Sequence, residues 1–211
     1  MWAALHTCPD IVFAINNLMQ FNSSYGQEHI AGVKQIFHYL KGTIDYRIQY
    51  LHSDLGTKVI GYADADWAEE KDQKSISGNV FIMSGGAIAW SAKKQGSIAL
   101  STLEAEYISL SHATRHIIWH QMMVRELGFE PDRPFNLNND NRGAIALTRD
   151  PQFHGQSKHI DIRHHFLREL IERGNLKIQH IRSEDNIADI FTKPLAETLF
   201  RKFASHIVTE M

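Results

Sequence analysis

The sequence has little of what would assign the protein to a specialised class. One cysteine, Cys8, among 211 residues excludes an internal disulfide framework and a cluster of thiolate metal ligands. Lys and Arg number 22 while Asp and Glu number 24, so the formal charge of -2 provides no global basic field for a polyanion. No apolar run has the length of a membrane span, and the N-terminal stretch MWAALHTCPDIVFAINNLM has too few basic residues for a signal peptide. We therefore expect a soluble, untargeted globular protein.

Hydrophobic periodicity divides the chain into a helical segment and a longer mixed region. The stretches PDIVFAINNLMQF and QEHIAGVKQIFHYLKGT carry apolar residues at helical spacing, and Gly42 is placed to end the second helix. Alternating runs in YRIQYLHSD, TKVIGYAD and SISGNVFIMSGGAIAWSAKK predict an antiparallel meander. The change of period predicts a boundary near residues 52–57, between a helical domain of residues 1–54 and a second domain of residues 55–211.

The rest of the chain alternates between helical and extended patterns. A helix is predicted from Ser101 to Leu127, followed by a strand in RPFNLNND and a short helix in NRGAIALTRD. A longer helix in KHIDIRHHFLRELIERG, a strand in NLKIQHI and a last helix start in EDNIADIFTKPL complete the order. This order predicts an α/β (mixed α+β) fold, in which helices flank a mixed sheet.

An aspartate ends one predicted strand at a position that should be buried. Strand alternation places Asp64 on the same face as Ile60 and Tyr62. An ionised carboxylate is costly there unless it is paired or bound to a metal ion. The alternative is that Asp64 and Asp66 simply open the following loop, and for Asp66 that explanation is sufficient.

Two glutamates near the start of the helix after Ser101 differ in the direction they face. At about 100° per residue, Glu106 lies at the border of the apolar stripe and Glu104 points well away from it. Glu104 also has a structural role, because Ser101 and Glu104 have the spacing of a capping box. Glu106 has no structural explanation of similar quality.

Two further acids lie where predicted elements meet. Asp140 closes a strand before a helix, where it could be an N-cap, and Asp189 lies in the first turns of a helix that Asp185 could cap. Each position has an ordinary explanation when it is taken alone. Together with Asp64 and Glu106, however, they form a set of acids at element ends, which a sheet fold can bring together.

Seven sequence blocks resemble a known family in their order and spacing. The blocks YADADWA, KSISGNVFIM, AIAWSAKKQ, ALSTLEAEYISL, NNDNRGAIAL, SKHIDIRHHFLRE and SEDNIADIFTKPL resemble the ribonuclease H domain of copia-type long-terminal-repeat retrotransposon polyproteins. The stretches PDIVFAINNLMQF and HIAGVKQIFHYLKGT resemble the thumb and connection of the preceding reverse transcriptase. The resemblance implies a ribonuclease H-like fold with a five-stranded mixed sheet, preceded by a small helical segment. It places the catalytic acids of the family on Asp64, Glu106, Asp140 and Asp189.

The sequence departs from the family pattern outside these four acids. Cys8 stands where arginine is usual, and His116 stands where an acidic residue is more usual. The polymerase fingers and palm have no counterpart, so we expect a piece of a polyprotein or the remnant of a truncated element.

The resemblance implies hydrolysis of the RNA strand of RNA–DNA hybrids with two Mg²⁺ ions, for which Mn²⁺ is an alternative. We expect Asp64 to bridge both ions, Glu106 and Asp140 to hold the first with it, and Asp189 to hold the second. His180, nine residues before Asp189, is a candidate for assisting product release. The missing polymerase fingers and palm are the expected protein partner, and the cytoplasm or a virus-like particle is the expected location.

Candidate contacts with the hybrid fall into two groups. Polar side chains for the sugars and the DNA backbone are Ser75, Ser77, Asn138 and Asn141, although such residues are more often turn formers. Basic side chains for phosphates are Lys93, Lys94, Lys158 and Arg163, although a charged face is usually only solvated.

Two other functions remain open from the sequence. One is a noncatalytic remnant that binds nucleic acid or nothing. The other is a different metal-dependent phosphoryl-transfer enzyme of the same general fold, such as an integrase, which the polymerase-like leader and the order of the acids oppose.

Overall fold

The computed structural model describes residues 1–51, 58–67, 73–149 and 158–210, with only the backbone for residues 158–164. The predicted domain boundary at residues 52–57 lies outside the described residues. No helix in the described part of the chain combines the length and apolarity needed to cross a membrane.

Residues 2–42 are mainly helical, as predicted. They form α1 (Trp2–His6), a 3-10 helix (Pro9–Ile11), α2 (Val12–Met19) and α3 (Gln27–Gly42). Pro9 is the first residue of the 3-10 helix. Proline is well tolerated there, because a backbone N–H at that position would have no intrahelical acceptor. The two helices expected from the periodicity are thus confirmed as α2 and α3, which pack against each other.

A five-stranded mixed sheet forms the centre of the molecule. Its strands are β2 (Val59–Asp66), β3 (Ile76–Met83), β4 (Gly86–Lys94), β5 (Phe135–Asn139) and β6 (Leu176–His180), in the spatial order β4-β3-β2-β5-β6. The pairs β2–β3 and β3–β4 are antiparallel, whereas β2–β5 and β5–β6 are parallel. The predicted ribonuclease H-like fold is confirmed. Because β2 is central and parallel to β5, the carboxyl ends of these two strands lie side by side.

One strand prediction was wrong in its pairing. The start of YRIQYLHSD forms β1 (Tyr46–Arg47), which pairs with β7 (Thr209–Glu210) near the other end of the chain and not with the meander. The following residues instead cross over the β3–β4 turn, where Leu51 N donates to Ser84 O at 2.7 Å. A Cβ on Gly86 would lie 2.7 Å from Gln49 O, so this crossing depends on glycine in the turn.

Helices cover both faces of the sheet. The remaining helices are α4 (Thr102–Glu126), α5 (Arg142–Leu147), α6 (Lys158–Glu172) and α7 (Glu197–Ala204), with 3-10 helices at Ser183–Asp185 and Ile187–Phe191. On one face, α4 and α6 bury a cluster that includes Phe81, Leu110, Leu137 and Leu167. The apolar packing on this face holds α4 against β2.

The other face of the sheet is covered by two ends of the chain. Its core cluster joins Ile11 and Val12 of the N-terminal helical segment to Val80 of β3, Phe191 and Phe203. The N-terminal helices and the sheet therefore share one buried apolar cluster.

The helix start predicted in EDNIADIFTKPL is a 3-10 helix in the structure. Asn186, and not Asp185, caps the 3-10 helix Ile187–Phe191, because its side-chain oxygen accepts from Ala188 N at 3.3 Å. Asp185 instead pairs with Arg182 and Lys202 on the surface. The 3-10 helix is held close to β3 at Gly78, where an added Cβ would lie 2.9 Å from Ala188 O and 2.6 Å from Thr192 Cγ2.

Gly78→Ala should therefore push this 3-10 helix away from the sheet. We expect the free energy of unfolding to fall by about 1–3 kcal/mol, because the added methyl group meets a backbone oxygen that cannot rotate away. Urea unfolding followed by circular dichroism measures the change. Gly96→Ala is the matched control, since a Cβ at Gly96 meets nothing within 4 Å. Equal stability losses in the two variants would contradict the proposed close packing.

Candidate active site

Three carboxylates meet at the carboxyl ends of β2 and β5. Asp64 lies near the end of β2 and is 2% exposed, Glu106 lies in the second turn of α4 and is 4% exposed, and Asp140 follows β5 and is partly exposed. Each offers one carboxylate oxygen, and these three oxygens lie within 4.8 Å of one another. The strand order and the packing of α4 on β2 therefore bring together three of the four predicted acids.

Asn139 fixes the position of Glu106. It is fully buried at the end of β5, and its side-chain amide donates at 3.0 Å both to Glu106 Oε2 and to Ala63 O. Its side-chain oxygen accepts from Asn141 N at 3.0 Å. One asparagine thus ties β2, β5 and α4 together behind the carboxylates.

Asn186 has a similar role for Asp140. Its amide donates to the same Ala63 carbonyl at 3.1 Å and to Asp140 Oδ1 at 3.4 Å. Since its oxygen also caps the 3-10 helix, Asn186 links that helix to the end of the sheet.

The fourth acid, Asp189, shares a lysine with Asp64. Lys193 Nζ lies 2.8 Å from Asp189 Oδ2 and 3.9 Å from Asp64 Oδ2, and Thr192 Oγ1 donates to Asp64 Oδ2. Asp189 Oδ1 is buried and has no hydrogen-bond partner among the described residues. Asp189 is thus near Asp64 but outside the group of three converging carboxylates.

Burial and mutual repulsion make these acids hard to ionise. Burial, followed by the charge of Asp64, raises the pKa of Glu106 well above its usual value. The pKa of Asp64 is also raised by burial, although Lys193 and the Thr192 hydrogen bond oppose this. Burial and the charge of Asp64 raise the pKa of Asp189 to about 7. Burial and the neighbouring charges therefore favour the protonated forms of Asp64, Glu106 and Asp189 unless a cation is bound.

The donor set fits a hard divalent cation. Asp64, Glu106 and Asp140 present only carboxylate oxygens, which are the ligands that Mg²⁺ and Mn²⁺ prefer. The buried, unpaired Oδ1 of Asp189 is a further oxygen suited to a cation or a proton.

Two capping interpretations from the sequence have different outcomes. Asp140 is not the N-cap of α5, because the side-chain oxygen of Asn141 accepts from Ala144 N at 2.9 Å. The adjacent residue performs the cap, which leaves the Asp140 carboxylate directed to the cluster. Ser101 does cap α4, accepting from Glu104 N at 3.2 Å, while Glu104 Oε2 reaches Leu100 N at 2.8 Å.

The predicted polar contacts with nucleic acid are mostly buried. Ser75 is buried and its Oγ has no hydrogen-bond partner among the described residues, Ser77 Oγ accepts from Gln95 Nε2 at 2.9 Å, and Asn138 is buried in β5. Asn141 caps α5, as described above. The first three therefore present little surface to a ligand, and their role in binding stays a prediction.

The structure describes the side chains of two of the four predicted basic contacts. Lys93 is exposed and lines a groove of about 620 Å³ between β4 and α4, together with Arg115 and Trp119. Lys94 donates to Gln20 Oε1 at 2.7 Å. The side chains of Lys158 and Arg163 lie outside the described residues.

His180 lies at the exposed end of β6, paired with Asn139 in the sheet. Its Nε2 accepts from Arg142 Nε at 3.4 Å. The histidine is thus one strand away from the residue that positions Glu106.

Four residues of the site were missed by the sequence analysis: Asn139, Asn186, Thr192 and Lys193. The signals were present as the runs NND, EDN and TKP next to predicted acids. Asparagine at such positions is typical of turns and caps, and a lysine before proline is typical of a helix end, so local patterns gave them ordinary explanations.

The fold and the site define a ribonuclease H-like protein with an acidic cluster suited to divalent cations. No protein-family model matches the chain. The Retrovirus-related Pol polyprotein from transposon RE1 of Arabidopsis thaliana is 39% identical over 202 residues, which are 95% of this chain and 14% of that protein. Over 95% of its length the chain is similar to retrovirus-related Pol polyproteins of copia-type retrotransposons. It spans about one seventh of the length of that relative.

Two other similarities differ in extent. Secreted RxLR effector protein 161 of Plasmopara viticola is 36% identical over 126 residues, covering 59% of this chain and 88% of the effector. The crystal structure of LC11-RNase H1 in complex with RNA/DNA hybrid is 19% identical, with a TM-score of 0.47 over 64% of this chain and 94% of that one.

The raised pKa of Asp189 predicts how stability depends on pH without metal. Between its ordinary pKa of 3.8 and about 7, the unfolded chain releases a proton that the folded protein retains, so stability falls as pH rises through this window. In EDTA, wild-type protein should lose on the order of 4 kcal/mol of stability between pH 4 and pH 7.5, and Asp189→Asn should not show this loss. Chemical denaturation across this range measures the difference between variant and wild type. Parallel curves for the two proteins would refute it.

Asn139→Ala should leave Glu106 Oε2 and Ala63 O without their shared donor. We expect a loss of about 1–3 kcal/mol in the free energy of unfolding, because two buried acceptors lose a partner. Thermal and urea unfolding check the change, with the exposed Asn22→Ala as the matched control. A loss no larger than that of the control would show that Asn139 does not hold the site together.

Proposed function

We propose that the chain is a divalent-metal-dependent ribonuclease that hydrolyses the RNA strand of RNA–DNA hybrids. The observation that carries the proposal is the convergence of Asp64, Glu106 and Asp140 at the end of the central strand, in a chain similar to Pol polyproteins. Three buried or half-buried carboxylates at one point repel one another, and this arrangement is unfavourable unless a cation or protons compensate for it.

Each acid has a defined place in the proposed two-ion site. Asp64, Glu106 and Asp140 would hold one ion, and Asp64 and Asp189 a second. When bound, the ions supply an activated water molecule and stabilise the leaving 3′ oxygen of the scissile phosphate. Asn139 and Asn186 keep the Glu106 and Asp140 carboxylates in place, so that their oxygens need little rearrangement on binding.

The carboxylates must lose their protons when they bind cations. Because burial raises the pKa values of Asp64, Glu106 and Asp189, cation binding would release protons near neutral pH. His180 is proposed to assist product release from the exposed end of β6, beside the strand that ends at Asn139.

We also propose that residues 1–54 correspond to the thumb and connection of a reverse transcriptase, and residues 55–211 to its ribonuclease H domain. The missing fingers and palm would be the protein partner, in the cytoplasm or in a virus-like particle. Exposed apolar side chains along and after α3, namely Val33, Phe37 and Ile44, support an additional protein contact there.

A noncatalytic role is the alternative. The observation that favours it is the similarity to Secreted RxLR effector protein 161, whose name describes an effector and mentions no nuclease. The presence of all four acids favours the enzyme.

Cleavage of a hybrid with labelled RNA in Mg²⁺ tests the proposal. We expect wild-type protein to cut the RNA strand, and Asp64→Asn and Asp140→Asn to reduce the rate by at least about a hundredfold, because each removes a charged ligand. Asp66→Asn, two residues from Asp64 on the same strand, is the matched control and should retain activity.

The three functions give different outcomes in this assay. Absence of cleavage by wild-type protein with a native circular dichroism spectrum would support the noncatalytic role. Strand joining in place of hydrolysis would support an integrase-like enzyme.

A further inference from the structure

We propose that Lys193 is a built-in cation of the site, whose ammonium group takes the place of the second divalent ion while no substrate is bound. The proposal rests on the metal site proposed above but not on hybrid cleavage itself. It makes Lys193 a positioning residue that sets how many ions the free protein binds.

The contacts of Lys193 are those of a cation shared between two acids. Its Nζ lies 2.8 Å from Asp189 Oδ2 and 3.9 Å from Asp64 Oδ2, and the two acidic side chains are only 4% and 3% exposed. Within the described ranges of the chain, no other basic side chain lies within 4.0 Å of either acid. Lys193 is therefore the charge that compensates this half of the site.

The other half of the site has no such partner. Glu106 and Asp140 are contacted by the neutral amides of Asn139 and Asn186, and no ion pair to either acid occurs among the described residues. Of the two ion positions that four acids could form, one thus has only carboxylates and neutral groups in direct contact within the described part of the chain, while the other already contains a positive charge.

A divalent ion and the Lys193 ammonium would compete for the same two carboxylates. An ion held between Asp64 and Asp189 would lie a few ångströms from the ammonium whichever oxygens it used, and two cations at that distance repel strongly in a partly buried site. The free protein should accordingly bind one ion at the triad. A second ion requires the ammonium to leave Asp189.

Lys193 can make this movement. Its side chain is 35% exposed and ends in a compact charge on a flexible four-carbon stem. A phosphate of a bound nucleic acid would offer the ammonium an alternative anionic partner. Substrate binding would then favour entry of the second ion.

The number of Mn²⁺ ions bound to the full chain at pH 7.5 without nucleic acid tests the proposal. Electron paramagnetic resonance and isothermal titration calorimetry should give one ion for wild type and two for Lys193→Met. The second site should be at least about tenfold tighter in the variant than in wild type, because the competing charge is gone. Lys193→Arg, which keeps the charge, should still bind one.

Lys202→Met is the matched control, because Lys202 also pairs with an aspartate, Asp185, at 3.0 Å but on the surface. It should leave the ion count at one. Two ions in wild type, or the same count in wild type and Lys193→Met, would overturn the proposal.

A stability measurement covers the case in which Lys193→Met folds poorly. In EDTA its melting temperature should lie below that of wild type, and saturating Mn²⁺ should raise it more than it raises wild type. If Mn²⁺ fails to restore the variant, the proposal is wrong. One ion in wild type and two in Lys193→Met, without any cleavage of hybrids, would uphold the role of Lys193 and reject the nuclease. No Mn²⁺ binding by folded wild type would reject both.

Discussion

Removal of the Asp64 carboxylate from water is the constraint on which the rest of the site depends. The side chain is 2% exposed at the end of the central strand, and its pKa is raised mainly by that burial. An isolated carboxylate in such a place is too unfavourable to persist ionised. Thr192 and Lys193 contact its Oδ2 and compensate its charge, whereas Glu106 and Asp140 bring further carboxylates close to it and add to the repulsion. The asymmetry of the site follows from this division.

The compensating groups reach Asp64 only because of packing elsewhere. Gly78 pairs with Asp64 across β2 and β3, and its missing side chain lets the 3-10 helix Ile187–Phe191 approach the sheet. Phe191 on that helix belongs to the same buried cluster as Ile11 and Val12 of the N-terminal segment. The position of Asp189 and Lys193 therefore depends on residues far away in the sequence. Removal of the N-terminal helices would therefore change the positions of the carboxylates as well as lower the stability of the whole protein.

Local patterns predicted the elements and the acids but not the groups that support them. Apolar periodicity was sufficient for α2, α3, α4 and the five sheet strands, because their apolar side chains recur at helical or strand spacing. Asp64 and Glu106 could be identified because a carboxylate conflicts with an apolar face. Asn139 and Asn186 create no such conflict, because asparagine at a strand end or helix start has an ordinary local role. Their function arises only when both reach the Ala63 carbonyl from segments 76 and 123 residues away.

The lack of information about distant contacts and backbone geometry also explains why the cap of α5 was left open and the pairing of β1 was wrong. Asp140 and Asn141 are adjacent and equally suitable caps, and only the backbone geometry decides that Asn141 caps α5. Pairing of β1 with β7 joins residues more than 160 positions apart, for which two-residue strands carry no periodic signal. Local sequence therefore predicts which side chains are unusual for their element, while the pairing of distant segments decides what those side chains contact.

The site can reduce the cost of burying several negative charges in two ways, by protonation of an acid or by an ion pair with Lys193. The pKa of Glu106 is raised well above its usual value by burial and by the charge of Asp64, and its one side-chain hydrogen bond among the described residues comes from the neutral amide of Asn139. Asp189 can be ionised beside Lys193, although burial and Asp64 keep its pKa near 7. A divalent cation at the triad would replace protons, whereas one beside Asp189 would have to replace an ammonium group. Protons exchange with water without any change in the fold, but the ammonium must be moved on its stem. The two positions should for this reason differ in how ions enter them, even though both are built from the same type of oxygen ligand.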